Sequence, residues 1–275
     1  KNIKPDFVIL ENVTGILGKK NIKITAGIIN QFANLGYDMS VRVLSSDHFG
    51  VPQKRRRSIF IGNKLGLENI FPTPTHAGQP RTVKDAFSDM KFDDIEHNHD
   101  LETAAIKNKI EKQRIKCIPE GMSVRYEKDE IAYLPPKLRF DVDWDKIDEN
   151  RFREKKLNRL DRNKPSPTIM TGRYTYYHPI ESRYLTVREA AALQSFPNDF
   201  IFDGTVSQQW RQIGNAVPSL LGKAVGNSIL RTYKEQRKSK PLSYDSVEEL
   251  IAVVRAHAFD YKKIESEKQI ENTNS

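Results

Sequence analysis

The chain has 275 residues, of which 37% are hydrophobic and 29% charged, and its mean hydropathy is −0.64. These values suit a soluble protein, and no apolar run approaches the roughly 18 residues that a membrane-spanning helix needs. A single cysteine, Cys117, excludes an internal disulfide framework, and the first residues lack a secretory signal, so we expect a cytoplasmic protein. The net charge of +9 favours a polyanionic partner such as nucleic acid.

The first 63 residues alternate predicted strands with a helix. Residues 7–10 form a short continuous apolar run, which is typical of a buried parallel strand. Residues 41–44 and 58–61 predict further strands. Residues 22–35 predict a helix whose apolar face consists of Ile24, Ile28, Ile29, Phe32 and Leu35. Strands separated by a helix indicate an α/β layer.

The central part of the chain, residues 64–182, has a less regular pattern. Its first hundred or so residues are rich in Pro, Asp, Lys and His, which indicates a smaller domain or a large insertion. Residues 151–164 contain seven basic and two acidic residues, a local net charge of +5, and we expect them to contact phosphates. A second basic run, residues 54–57, directly precedes a predicted strand.

The last third of the chain predicts helices and a charged tail. Thr186 can cap a helix, with Glu189 at the reciprocal position of a capping box. Residues 217–235 predict another helix, one face of which carries Leu221, Val225 and Ile229. Residues 236–275 form a charged tail in which residues 246–254 predict a short amphipathic helix.

Three motifs occur in a fixed order along this pattern. They read PDFVILENV at residues 5–13, FGVPQKRRRSIFIG at residues 49–62, and RYLTVREAAALQSFPNDF followed by QIGNAVP within residues 183–218. Together they resemble the later motifs of the DNA (cytosine-5)-methyltransferases, that is, the C-terminal portion of such an enzyme. The resemblance covers about half of the chain.

This resemblance implies an α/β fold, in which part of a Rossmann-like methyltransferase sheet is joined to a smaller, mostly β or irregular target-recognition domain. Residues 1–63 would then belong to the catalytic domain and residues 64–182 to target recognition. Residues 183–235 would return to the catalytic domain with a helix on the cofactor side, and residues 236–275 would form the tail. The implied partner is double-stranded DNA, in which the target cytosine leaves the duplex.

Glu11 is the candidate catalytic acid. It follows the apolar run at residues 7–10, and the carboxyl ends of strands in α/β sheets face the ligand crevice. In the family, a thiolate adds to carbon 6 of cytosine while an acid at ring nitrogen 3 stabilises the electron-rich adduct. A bare Glu-Asn-Val is more often a surface strand end, but the other motifs favour the catalytic role. Asn12 is predicted to bind substrate and to orient the loop.

The motif Gln-x-Arg-x-Arg supplies three further candidates. Arg55 and Arg57 lie two residues apart on a predicted strand, so their side chains point to the same face. Two guanidinium groups on one face can hold a base carbonyl and phosphate oxygens. The alternative without a binding role is a basic edge strand whose arginines are solvated. The resemblance makes Arg57 and Arg55 catalytic and Gln53 substrate-binding.

The remaining candidates concern the cofactor and the DNA. The string Gly-Asn-Ala-Val-Pro resembles the last motif of the family, and this resemblance implies that Asn215 and Ala216 bind S-adenosylmethionine, in a site that a missing N-terminal part would complete. Arg173 begins an aromatic and basic stretch that suits DNA contact. The resemblance makes Arg188 and Gln194 architectural.

Two motifs of the family are absent from this chain. No Pro-Cys pair supplies the nucleophile, and no Phe-x-Gly-x-Gly loop supplies the cofactor site. The chain alone is therefore predicted to be inactive. It could be part of a longer enzyme or one subunit of a split enzyme, with an N-terminal methyltransferase subunit as its partner. A non-catalytic DNA-binding or regulatory relative and a transfer-RNA cytosine-5 methyltransferase are the alternatives.

Neither the cysteine nor the histidines predict a second site. Cys117 is not preceded by proline, and we expect it to be a small buried residue rather than a nucleophile. His97 and His99 lack further ligands at metal spacing, so no metal site is expected.

Overall fold

In the computed structural model, residues 3–91, 98–144, 157–239, 249 and 252 are described. They contain, in chain order, three strands and eight α-helices: β1 Phe7–Val13, α1 Ile22–Ala33, β2 Asp38–Ser45, β3 Arg56–Asn63, α2 Val83–Ser88, α3 Leu101–Ala104, α4 Lys109–Cys117, α5 Glu127–Tyr133, α6 Val187–Leu193, α7 Val206–Asn215 and α8 Ser219–Glu235. Short 3-10 helices at Thr14–Leu17, Ser46–Phe49 and Pro136–Leu138 complete the set.

The chain divides into two compact units by its internal contacts. One, the sheet unit, consists of Lys1–Gly50, Arg55–Pro80 and Leu220–Ser275. The other, the helical unit, consists of Val51–Lys54 and Arg81–Ser219. No helix among the described residues is long and apolar enough to cross a bilayer.

The sheet unit contains all three strands, in the order β1-β3-β2. β3 is antiparallel to both neighbours, so β1 and β2 run in the same direction with β3 between them. The predicted strands and the α/β class are confirmed, but the expectation of a buried parallel strand at residues 7–10 is wrong. β1 pairs with an antiparallel strand, and all seven of its residues are at least partly exposed.

The core of the sheet unit forms where α1 packs on one face of the sheet. Its buried residues include Ile29 on the helix, Val41 on β2 and Phe60 on β3. The helix is confirmed, but its predicted apolar face is partly wrong. Ile24 and Leu35 are exposed, and the buried stripe consists of Ile22, Thr25, Ala26 and Ile29. Isoleucines occur on more than one side of this helix, so periodicity alone did not select the buried side.

The helical unit consists of short helices and irregular segments. The predicted irregular character of this region is confirmed, but its predicted β content is wrong. Its described residues form isolated β-bridges and contain no strand of greater length. Its main core includes Leu160, Ile169, Leu193, Trp210 and Ile213. Short helices need satisfied ends, and capping boxes provide them at the starts of α2, α6 and α7.

Two sequence predictions concern helices near the C-terminus. The cap formed by Thr186 and Glu189 is confirmed at the start of α6. The helix predicted for residues 217–235 is confirmed as α8, with Leu221 and Val225 buried and Ile229 half-buried. The helix predicted for residues 246–254 lies outside the described residues, apart from residues 249 and 252.

Candidate active site

The carboxyl end of β1 lies beside the first residues of β3 in the sheet unit. Val13 is opposite Arg57, and Glu11 is opposite Ile59. Glu11 is therefore the diagonal neighbour of Arg57 on the same face of the sheet, a separation that long side chains can bridge. Glu11 lies within the strand rather than beyond it, because β1 extends to Val13.

Glu11 and Arg57 form an ion pair at this position. Glu11 Oε1 lies 2.9 Å from Arg57 Nε, and the side chains are 26% and 13% exposed. The same carboxylate oxygen is buried, yet no described residue donates an aligned hydrogen bond to it. The short distance establishes the electrostatic pairing. Because the Arg57 N–H is poorly aligned with the oxygen, the oxygen can still accept a hydrogen bond from another donor. A buried carboxylate oxygen without an aligned donor is unfavourable unless a ligand provides one.

Arg55 lies directly before β3 and is 3% exposed. Its backbone N–H donates to Ser46 Oγ at 3.1 Å, and its carbonyl accepts from the Ser46 backbone N–H at 3.0 Å. Burial, and to a smaller extent nearby Arg57, lower the pKa of Arg55 to about 10, while Glu11 opposes the shift. Arg55 is still cationic at neutral pH, so two guanidinium groups accompany one carboxylate at this edge of the sheet.

Asn12 is exposed next to Glu11. Its Oδ1 accepts a hydrogen bond from the Val13 backbone N–H at 2.8 Å, which fixes the end of β1 locally. The predicted role of Asn12 in orienting the loop and binding substrate stays a prediction. The side-chain amide N–H groups of Asn12 donate to no other group among the described residues, so they remain available to a ligand.

This cluster matches the polar edge of a pyrimidine in its chemistry. A carboxyl can accept from an exocyclic amino group and hold a proton at a ring nitrogen, while a guanidinium can donate to a carbonyl oxygen. The sheet supports these groups rigidly, because Ile59 and Ile61 of β3 are fully buried.

Gln53 belongs to the helical unit and is 0% exposed. Its Oε1 accepts from the Ile169 N–H at 2.8 Å, and its Nε2 donates to the Leu193 carbonyl at 3.3 Å. Gln53 also forms a parallel β-bridge with Ser166. The geometry gives no support to the substrate-binding role predicted for Gln53, because its amide is buried and joins three segments of the helical unit.

Asn215 and Ala216 lie at the end of α7, also in the helical unit. Asn215 is exposed and lines an open surface depression with Asp203, Gly204, Gln208, Arg211 and Gln212. An exposed amide can donate to and accept from the polar groups of S-adenosylmethionine. These residues fit only part of the cofactor, since the glycine-rich loop that the family uses has no counterpart in this sequence.

The residues predicted to be architectural are buried and bonded in the helical unit. Arg188 is 0% exposed and donates to the carbonyls of Pro197 and Phe200. Gln194 is likewise 0% exposed and donates from Nε2 to the Ile213 carbonyl at 2.6 Å. Both side chains therefore hold backbone segments together, and the prediction for them is confirmed.

The basic run at residues 151–164 is largely engaged within the protein where it is described. Arg159 is buried and donates to five backbone carbonyls, those of Ile115, Ile118, His178, Ile180 and Glu181. Arg162 forms a bidentate ion pair with Glu120. The expectation of phosphate contacts is wrong for Arg159, because composition cannot distinguish a buried guanidinium from an exposed one. Residues 151–156 lie outside the described residues.

A tyrosine cluster near Arg173 was missed by the sequence reasoning. The hydroxyls of Tyr177 and Tyr184 both donate to Glu111 Oε1, and Tyr184 packs against Tyr174. Arg173 is half-exposed next to Tyr174, and its guanidinium lies 4.5 Å from that ring centroid. Glu111 is more than 60 residues away in sequence, so no local pattern could have indicated the cluster.

The cysteine and the histidines have structural contacts. Cys117 ends α4, is half-buried rather than buried, and its Sγ lies 3.5 Å from the Gln113 carbonyl oxygen. His99 Nδ1 lies 3.0 Å from Thr186 Oγ1, and His97 lies outside the described residues. Over the part of the chain that the structure describes, no group of three or more His, Cys, Asp or Glu could hold a metal ion.

Comparisons with known proteins agree with the motifs and the fold. The family model for C-5 cytosine-specific DNA methylases matches residues 1–231. The Type II methyltransferase M1.HphI of Haemophilus parahaemolyticus is 35% identical over 232 residues, which is 84% of this chain and 58% of that protein. The Type II methyltransferase M.NgoFVII of Neisseria gonorrhoeae is 32% identical over an alignment of 256 residues that covers 90% of this chain and 64% of that protein.

A solved structure extends this likeness to the fold. It is a DNA modification methyltransferase encoded within an E. coli prophage, with a TM-score of 0.59 and 23% identity; the match covers 84% of this chain and 70% of that one. The chain spans about three fifths of the length of the two curated relatives. The family match extends over most of the chain, and it includes every residue of the Glu11 and Arg57 cluster. The chain belongs to the C-5 cytosine-specific DNA methylase family.

Proposed function

We propose that this chain supplies the cytosine-binding half of a DNA (cytosine-5)-methyltransferase. The observation that carries the proposal is the Glu11–Arg57 pair, whose buried carboxylate oxygen lacks an aligned donor although a cation lies 2.9 Å away. A cytosine flipped out of the duplex would provide that donor from its N3–N4 edge. The family match and the positions of Arg55 and Arg57 support the same assignment.

Each residue of the cluster has a distinct role in this proposal. Glu11 accepts from the exocyclic amino group and holds the proton at ring nitrogen 3, so electron density from a nucleophile at carbon 6 can be stabilised. Arg57 donates to the carbonyl oxygen of the base and keeps the Glu11 carboxylate in place. Arg55, which is buried behind this edge, adds positive charge where the adduct becomes electron-rich.

The nucleophile is assigned to a segment outside this chain. Cys117 is the single cysteine, and its sulfur contacts the backbone of its own helix. The thiolate and the remainder of the cofactor site would come from the part that the longer relatives contain, on the same polypeptide or on a partner subunit. Bound S-adenosylmethionine would supply the methyl group, and Asn215 and Ala216 are the residues of this chain that would hold it.

Double-stranded DNA is the proposed substrate, and Arg173 is proposed to contact it. The net charge of +9 supports a polyanionic partner. The relatives are named as Type II methyltransferases, which supports a role in a bacterial restriction-modification system and a cytoplasmic location. Gln53 is assigned a positioning role, because its amide fixes the backbone of Ile169 on the path to Arg173.

The decisive experiment restores the missing part. The chain is expressed alone, and also joined to or together with the sequence encoded immediately upstream of it. Duplex DNA and transfer RNA are offered with S-adenosylmethionine, and 5-methylcytosine is measured by mass spectrometry. We expect no product from the chain alone and methylated DNA from the assembled protein. Methylated transfer RNA only would favour the transfer-RNA alternative, and an inactive assembly that still binds DNA would favour a non-catalytic relative.

A further inference from the structure

An exposed arginine-tyrosine pair stands out on the surface of the helical unit. Tyr174 is 58% exposed. The Arg173 guanidinium lies 4.5 Å from the centroid of its ring and donates to its hydroxyl. No carboxylate in the described part of the chain pairs with Arg173. The pair therefore presents a cation and an aromatic ring to solvent as one unit.

A buried tyrosine cluster supports this pair from below. Tyr174 packs edge-on against Tyr184, with the ring centroids 4.9 Å apart. Tyr184 and Tyr177 are buried, and both donate to the same oxygen of Glu111. Burial raises the pKa of each tyrosine hydroxyl, and Glu111 raises it further, so both stay protonated as donors. An exposed side chain that is held by such a buried cluster loses little conformational entropy when it binds a ligand.

The segment that precedes the pair is held by two other parts of the helical unit. Gln53 holds the Ile169 backbone N–H through a fully buried amide. A Cβ atom on Gly214 would lie 2.6 Å from the Met170 carbonyl carbon and the Thr171 nitrogen, so only glycine permits this close approach. The glycine of the Gly-Asn-Ala-Val-Pro string thus positions the segment that carries Arg173.

These features favour base reading over simple phosphate attraction. A flexible lysine or arginine suffices for a phosphate, whereas base readout needs a donor fork held in a fixed direction. A planar guanidinium matches the O6 and N7 acceptors of guanine in the major groove, the commonest specific arginine contact with DNA. An adjoining aromatic ring fits the apolar surface of a neighbouring base.

We propose that Arg173 and Tyr174 form a specificity-determining element that reads one guanine of the recognition site. Arg173 donates to O6 and N7 of that guanine, and Tyr174 fixes the guanidinium and packs against the adjacent base. This inference rests on the proposed action on DNA and adds the class of base that is recognised and the residues that recognise it.

The test selects duplexes with the intact chain, without cofactor. A pool of duplex DNA with a randomised centre is bound, and the retained molecules are sequenced. We expect enrichment of a site that contains guanine. Arg173→Ala should relax the preference at one guanine position by about 5- to 150-fold, while the other positions keep theirs. Arg231→Ala is the matched control, because Arg231 is an exposed arginine on α8 that pairs with Glu235.

Atomic substitution in the DNA supplies the second measurement. Replacing the assigned guanine by 7-deazaguanine removes the N7 acceptor, so the wild type should lose affinity and Arg173→Ala should lose none beyond its own defect. Tyr174→Phe tests the hydroxyl contact, and Tyr174→Ala tests the ring. Equal weakening on every duplex by Arg173→Ala would make Arg173 a phosphate contact and overturn the inference, while the proposed DNA methylation would stand.

Failure of the inference and failure of the proposed function are distinguishable. If the wild type binds duplexes without preferring any guanine, the inference is overturned whatever the methylation assay shows. If the chain binds no duplex, the inference also fails, and the assembled protein in the methylation experiment then decides the proposed function independently. The far-ultraviolet circular dichroism of each variant should match the wild type, since Arg173 and Tyr174 lie at the surface.

Discussion

The sheet unit and the helical unit bury polar side chains in different ways. In the helical unit, the buried Gln53, Arg159 and Arg188 donate to backbone carbonyls and tie segments together. In the sheet unit, Glu11 keeps a buried oxygen without an aligned donor next to a cation. Buried polar groups with satisfied hydrogen bonds stabilise a fold, whereas an incompletely satisfied one is a candidate for ligand chemistry. An atom without a partner does not mark a site by itself, because Gln194 Oε1 and Ser166 Oγ of the helical unit also lack one among the described residues. Glu11 differs from them because its orphaned oxygen belongs to a carboxylate and lies 2.9 Å from a cation.

Glu11→Gln should have the largest effect, because it breaks the proposed chemistry in the sheet unit. Glutamine keeps the size of the side chain but cannot hold the proton at the base nitrogen. In the assembled protein, turnover at saturating DNA should fall by about 10² to 10⁴, with a smaller change in DNA affinity. Radiolabelled methyl transfer measures the first quantity and a gel-shift titration the second.

Asp6→Asn is the control for Glu11→Gln. Asp6 directly precedes β1, and its exposed carboxylate lies 3.4 Å from Lys64 Nζ. An exposed ion pair of this kind contributes little, so Asp6→Asn should retain wild-type turnover. Wild-type turnover in Glu11→Gln would remove Glu11 from the mechanism.

Arg57→Ala should have the next largest effect. It removes both the donor to the base carbonyl and the cation that accompanies Glu11. We expect methyl transfer at saturating DNA to slow by about 10- to 100-fold, or ~1.4–2.8 kcal/mol, with little change in the salt dependence of binding. Arg56→Ala is the matched variant, since Arg56 is the exposed neighbour on the opposite face of β3.

The two arginine variants separate the effect of the strand face on which the arginine lies from the effect of losing one positive charge. Arg56→Ala should lower the salt slope if Arg56 contacts a phosphate, but it should leave the maximal rate unchanged. If Arg57→Ala merely weakened binding and kept the maximal rate, Arg57 would belong with the phosphate contacts.

Local features of this fold could be predicted from sequence, and pairings over long distances could not. The capping box of Thr186 and Glu189 depends on residues three apart, and the structure has it as predicted. The position of β3 between β1 and β2 depends on strand pairing, which alternation of apolar residues does not specify. The exposure of Ile24 shows the same limit for a helix with apolar residues on two sides.

The candidate site shows a similar division. Glu11 and Arg57 could be named from motifs, but their register, with Arg57 opposite Val13, required the antiparallel pairing of β1 with β3. The substrate-binding role of Gln53 was inferred from its motif, and its burial against Ile169 and Leu193 involves contacts more than 100 residues apart. Motifs identify residue types, whereas burial and hydrogen-bond partners decide which of them can reach a ligand.

Gly214→Ala should change the stability of the helical unit rather than the chemistry, so its effect on methyl transfer should be the smallest of the three variants. A methyl group there would lie 2.6 Å from the backbone of Met170 and Thr171, so either α7 or that segment must move. Overpacking of this kind costs about 1–3 kcal/mol. Urea unfolding followed by tryptophan fluorescence reports on this unit, because both tryptophans, Trp144 and Trp210, belong to it.

Gly172→Ala tests whether close packing, rather than loss of any glycine, causes that destabilisation. Gly172 lies in the same surface segment, but a Cβ atom there would meet only Thr175 Oγ1, at an ordinary 3.7 Å. Its backbone does not require glycine, so alanine should leave stability unchanged or raise it by up to about 1 kcal/mol. Equal destabilisation by both variants would show that the segment needs flexibility. That result would contradict the rigid support that we infer for Arg173 and Tyr174. With rigid support, a methyl group on Gly214 should shift the segment, whereas a methyl group on Gly172 should not.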